Sequence, residues 1–233
     1  MKKFNIFYIH GFGDYKTIAD SFFKKIKKQG HNVHTFDLPN HGQNLDFSKQ
    51  FLISDYCKYV TQYINSYRLQ NVIVIGHSMG GAILSIIAHK IKSLQCVILW
   101  DPANPSLTPK ERSSVRQSIK NKTNPITKFD WFTGNTKINK AWDPYKLSLD
   151  IFGEKCNLTI AKNLKRINVP IFVIFGDYDE IVPFEPSKKW FINFFKNKKD
   201  FEFITIKNAS HSPWKTHLRQ LIISFNHCLK KIT

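Results

Sequence analysis

The chain has 233 residues, 42% apolar and 14% aromatic, and its 35 Lys and Arg outnumber 17 Asp and Glu to give a formal net charge of +18. That apolar fraction supports a sizeable core and excludes an intrinsically disordered chain, and the length suits one α/β domain with an insertion. No segment approaches the apolar length of a membrane span, and the N-terminal apolar run is too short for a secretory signal and is interrupted by Asn5, so the reading is a soluble cytoplasmic protein.

The positive charge is scattered. Its densest runs, Lys24-Lys25 with Lys27-Lys28, Lys196 with Lys198-Lys199, and Lys230-Lys231, fall on separate predicted helices or turns and read as solvated faces. None of the nucleic-acid module signatures is present, so no specific nucleic-acid partner is expected. A weak contact with an anionic membrane surface stays open. Cys57, Cys96, Cys156 and Cys228 are far apart and form no CxxC pair, which predicts buried free thiols in a reducing compartment.

In chain order, residues 4–9 read as a strand that runs into His10-Gly11-Phe12-Gly13. A helix follows over 16–29, with Ile18, Phe22 and Ile26 on one face and Gly30 as its stop. Residues 31–36 form the next strand, leading to Asp37-Leu38-Pro39-Asn40-His41-Gly42. Residues 48–68 carry an aromatic stripe at helical spacing and are expected to pack against the core. The β-branched run Val72–Ile75 reads as a strand buried on both faces; it ends in Gly76-His77-Ser78-Met79-Gly80, and an apolar helix follows. Residues 95–100 are another strand, ending at Asp101-Pro102. From 105 to 168 the alternation of strand and helix breaks, and Phe129, Trp131, Phe132, Trp142, Tyr145 and Phe152 cluster there. A strand over 170–175, a helix over 185–197, a last strand over 201–206 and a final amphipathic helix complete the chain.

Gly76 to Gly80 fits G-x-S-x-G, and strand, sharp turn and helix are the context of a nucleophile elbow. A Cβ at either glycine is expected to collide with the neighbouring strand or helix. With His10-Gly11-Phe12-Gly13 and the loop at 37–42, these residues resemble the α/β-hydrolase superfamily on its serine esterase and lipase side, and the likeness runs along most of the chain. The resemblance implies about six parallel strands flanked by helices, with right-handed crossovers. It implies a core of residues 1–104 and 169–233, with a small helical cap at 105–168. In the 37–42 loop Asn40 replaces the family's usual Gly, and Asn tolerates the left-handed backbone needed there.

The resemblance also assigns the site. Ser78 is the nucleophile, and the backbone N–H groups of Phe12 and Met79 form the oxyanion hole. His211, in the N-A-x-H setting after the last strand, is preferred as base over eight other histidines. Asp179, at the family's G-x-x-D-x-x-V-P position, is preferred as acid; Asp177 and Asp101 stay open as alternatives. His41 reads as structural. Gly11 and His77 in the signature turns, and Trp131 and Trp142 in the cap, are the expected substrate contacts. No metal or organic cofactor is implied. The implied reaction is hydrolysis of carboxylic esters of small or medium acyl groups through an acyl-enzyme. Thioesterase, amidase or peptidase and carbon–carbon hydrolase chemistry remain alternatives on the same residues, as does a non-enzymatic binding protein. Serine as nucleophile argues against the branches that use Asp.

Overall fold

The computed structural model describes residues 2–44, 49–121 and 143–233. Six strands make one sheet: β1 (Asn5–Ile9), β2 (Asn32–Thr35), β3 (Val72–His77), β4 (Leu94–Trp100), β5 (Ile171–Gly176) and β6 (Phe201–Ile206). Their order is β2-β1-β3-β4-β5-β6, and every neighbouring pair is parallel. This is the expected α/β architecture. The chain steps outward from β1 to β2, then returns past β1 to β3. Connections therefore leave β1 and β3 on opposite faces of the sheet, which opens a crevice beyond their C-terminal ends.

Alternation along the central strands divides the core in two. Phe7, Ile9, Val74, Val97, Leu99 and Val173 face one side, whereas Ile6, Tyr8, Ile73, Ile75, Ile98 and Ile174 face the other, all buried. The first side is covered by α2 (Ile53–Ser66), α3 (Met79–Ile87), α6 (Glu154–Leu164) and α7 (Phe184–Phe194), the second by α1 (Asp20–Lys28) and α9 (Leu218–Ile232). Both faces are apolar because both are covered, which explains why the strands read as continuous hydrophobic runs. All four cysteines are buried and free. Among the described residues no helix is long and apolar enough to cross a membrane.

The element boundaries moved inward in two places. The first helix begins at Asp20, because Tyr15–Ile18 and Thr17–Asp20 close turns before it. The second begins at Ile53, where the Asp55 carboxylate accepts the Leu52 N–H at 3.1 Å and fixes the start. Gly30 ends α1 at φ +91 and Asn40 takes φ +64, the left-handed conformation its position was expected to need.

Within 105–168 the described helices are α4 (Pro109–Lys120), α5 (Pro144–Ile151) and α6. Helix α6 packs on α3 with Cys156, Ile160 and Leu164 in the sheet core, completing the crossover from β4 to β5. Tyr145 and Phe152 pack against the same core. Phe129, Trp131, Phe132 and Trp142 lie outside the described residues. The remaining helix, α8 (Pro213–Thr216), is a single turn between the loop after β6 and α9.

Candidate active site

Ser78 stands between the last residue of β3 and the first of α3, at φ +52 and ψ −117. A non-glycine residue takes this conformation only when its surroundings force it. Here they do. The Ser78 N–H donates to the Trp100 carbonyl at 3.0 Å, and its own carbonyl accepts the N–H groups of Ala82 at 3.1 Å and Ala103 at 3.0 Å. The glycines make the turn possible by what they lack. A Cβ on Gly76 would lie 2.5 Å from the carbonyl oxygen of Gly80, and one on Gly80 would collide with the carbonyls of Ile9 and His10. Helix and strand thus approach through missing side chains, as the sequence predicted. Gly11 has the same character, since its Cβ would come within 3.1 Å of the Cβ of Ser78.

His211 follows β6 and is 5% exposed. Its Nδ1 lies 2.7 Å from Asp179 Oδ2. The Asp179 side chain has no exposure, and its Oδ1 accepts the N–H groups of Ile181 and Val182, each at 2.8 Å. His211 and two backbone donors thus converge on one carboxylate and fix its orientation. Burial by itself lowers the His211 pKa; the charge and hydrogen bond of Asp179, with the charges of Asp14 and Glu180, outweigh it, and the net shift is upward. Ser78 and His211 line one cleft of about 180 Å³ with Phe12, Asp14, Glu180 and Lys215.

The other candidate acids are placed differently. Asp177 accepts the Asn208 N–H at 2.5 Å and so ties the loop after β5 to the loop after β6. Asp101 is fully buried and accepts the Gly176 N–H at 2.8 Å.

His77, expected to touch substrate, has both ring nitrogens turned to the protein. Nδ1 lies 3.2 Å from Asp14 Oδ2 and Nε2 lies 2.9 Å from the His211 carbonyl oxygen. Both partners are acceptors, so a neutral ring donates to one of them and only the imidazolium donates to both. Burial lowers the His77 pKa, Asp14 opposes it, and the net shift is downward. His10 is better matched: Nδ1 donates to the Gly11 carbonyl at 2.8 Å, and Nε2 accepts the Leu38 N–H at 3.0 Å. His41 is buried, with Nδ1 2.8 Å from the Pro39 carbonyl, in keeping with its structural reading.

Three residues near the site carried no distinctive pattern in the sequence. Asp14 pairs with His77. Glu180 accepts the His211 N–H at 3.1 Å through Oε2. Trp214 sets its ring edge-on to His77, with centroids 4.6 Å apart. Asp14 directly follows the glycine turn and Glu180 directly follows Asp179, so adjacency to a motif was the only available signal. Among the described residues no three His, Cys, Asp or Glu side chains are grouped to hold a metal ion.

An elbow serine, a histidine and a buried carboxylate gathered at the C-terminal edge of a parallel sheet define an α/β-hydrolase. The hydrolase family described as serine aminopeptidase, S33, matches residues 2–215, and the chain belongs to that family. It is similar to a Mycoplasma genitalium protein named as an esterase/lipase, at 27% identity over 91% of this chain and 84% of that protein. It is also similar to the pimeloyl-(acyl-carrier protein) methyl ester esterase of Wigglesworthia glossinidia brevipalpis, at 28% identity over 91% of this chain and 88% of the relative. Among solved structures, bromoperoxidase from Bacillus anthracis superposes with a TM-score of 0.77 at 20% identity, over 98% of this chain and 92% of that one, a likeness of fold.

Proposed function

We infer that the protein is a serine hydrolase that cleaves carboxylic esters of small or medium acyl groups. The reading rests on one observation above others: a strained Ser78 shares a cleft with His211, whose far nitrogen is held 2.7 Å from Asp179. In this mechanism Asp179 orients His211, and His211 takes the proton of Ser78 as its Oγ attacks the ester carbonyl. The N–H groups of Phe12 and Met79 receive the oxyanion, each contributing about 3 kcal/mol. His211 returns the proton to the departing alcohol. Water, deprotonated by His211, then releases the acid and restores Ser78. The cleft of about 180 Å³ favours small acyl groups. Residues 105–168 are the cap in this reading; Trp131 and Trp142, its expected substrate contacts, lie outside the described residues. Both relatives named above carry esterase names, which favours an ester; the peptidase reading rests on the family description alone.

The test is a p-nitrophenyl ester series of increasing chain length, run on wild type and Ser78→Ala, with fluorophosphonate labelling alongside. The expected result is turnover that falls with chain length, a loss on the order of 10⁴-fold in the variant, and labelling that needs Ser78. Equal rates for both proteins would discard the serine mechanism. Faster turnover of aminoacyl amides than of esters would replace the ester reading with the peptidase one.

A further inference from the structure

Asp101 is the first residue beyond β4, and none of its surface reaches solvent. Its backbone takes φ +40, a left-handed conformation that an aspartate adopts at a cost. From there its Oδ1 reaches across to the end of β5 and accepts the Gly176 N–H at 2.8 Å. The Gly176 carbonyl accepts the N–H of Asp179 at 3.3 Å. The two aspartates therefore converge on one residue, and their side chains are within hydrogen-bonding reach of each other. Yet Asp101 Oδ2 is buried with no donor facing it.

Two ionised carboxylates side by side, both out of water, repel each other and can share only acceptors. One proton removes both problems. Asp179 has donors on each oxygen, two backbone N–H groups on Oδ1 and His211 on Oδ2. Asp101 has one. The proton therefore belongs on Asp101.

We propose that Asp101 is a neutral carboxylic acid whose Oδ2–H donates to the Asp179 carboxylate, so that it acts as a positioning residue for the Asp179–His211 pair. This rests on the reading of that pair as acid and base. Asp179 then has every donor it can use, and its charge stays directed at His211. Burial first, and the neighbouring charges of Asp179 and Glu180 next, push the Asp101 carboxyl well above the usual carboxylate range. In the sequence Asp101 was a rival for the catalytic acid; here it supports the residue chosen instead.

Asp101→Asn and Asp101→Ala separate the cases. Asparagine keeps an acceptor for Gly176 and a donor for Asp179, so it copies the neutral acid. The expected result is an acidic limb of the kcat/KM–pH profile that stays where wild type has it. Alanine removes both groups. The expected result is a fall of about tenfold in kcat, the size of one lost hydrogen bond to a charged group, with the acidic limb moved to higher pH as an unshared Asp179 charge holds the imidazolium more tightly. In wild type at neutral pH, infrared difference spectra against Asp101→Asn should contain the carbonyl stretch of a protonated carboxylic acid. Urea midpoints establish that each variant is folded; if Asp101→Ala is not, the infrared band and the Asp101→Asn profile decide. An acidic limb that moves to lower pH in Asp101→Asn overturns the proposal, because a charge at 101 was then supporting the imidazolium. So does a spectrum without the band. The band is read without turnover, so a protein that shows it but hydrolyses no ester would undo the functional reading and leave the neutral Asp101 in place.

Discussion

His77 Nε2 lies 2.9 Å from the carbonyl oxygen of His211, so the residue just before the nucleophile holds the backbone of the residue that faces it. Asp14 completes the contact from the other side of the ring, 3.2 Å from Nδ1. The turn after β1, the elbow after β3 and the loop after β6 are joined through one imidazole.

Replacing His77 by Ala should therefore harm position more than binding. It removes the donor from whichever of the Asp14 carboxylate and the His211 carbonyl the neutral ring serves, at a cost of about 1–3 kcal/mol. The expected outcome is a fall of roughly ten- to a hundredfold in kcat, with KM for a short ester changed by less than about threefold, as expected when ground-state binding is left intact. Steady-state kinetics beside a urea melt would check it. A large rise in KM with kcat intact would instead restore His77 to the role of substrate contact.

The upward shift of His211 has a definite sign in pH. The imidazole must be neutral to take the Ser78 proton, so activity should climb as pH rises through a value above the ordinary 6.5 of histidine. Stability runs the opposite way. A raised folded-state pKa contributes stability that is fully present below the unfolded value and is lost as pH rises through the folded one. Asp179→Asn removes the raising charge. It should move the acidic limb downward and lower kcat on the order of 10⁴-fold, since the amide favours the wrong tautomer. A pH–rate profile of both proteins measures each effect.

Gly80→Ala tests the elbow as structure. Its methyl group would meet the carbonyls of Ile9 and His10, which are backbone and cannot rotate away. Loss of more than about 3 kcal/mol is expected, at the large end for single substitutions. Chemical denaturation should register it even with no substrate present. An unchanged midpoint would mean that β1 and α3 can separate more easily than their packing suggests.

The sequence reported the sheet well because both of its faces are covered: Val72–Ile75 and residues 170–175 had to be continuous apolar runs. Ser78 and His211 stood out in the sequence because each sits at a turn whose chemistry admits few residue types. The helix starts were less visible. Asp20 and Asp55 mark them, but an acidic residue near a helix start competes with many equivalent ones along the chain. Glu180 and Asp14 were legible only as neighbours of a motif, since what makes them relevant is convergence of loops from β1, β5 and β6, and no local spacing encodes that. Within 105–168, the core pattern at Cys156, Ile160 and Leu164 of α6 is hidden by the aromatic cluster around it.

The groups at the crevice come from positions 14, 78, 179 and 211, one from each of four loops of a sheet whose neighbours are mostly distant in sequence. A fragment that carries all four members of that set must include five of the six strands, β2 to β6. During refolding, catalytic competence should be the last signal to recover, trailing helical circular dichroism, because parallel pairing closes long loops before any reward arrives. A chain shortened ahead of β6 should keep much of its secondary structure and have no turnover at all.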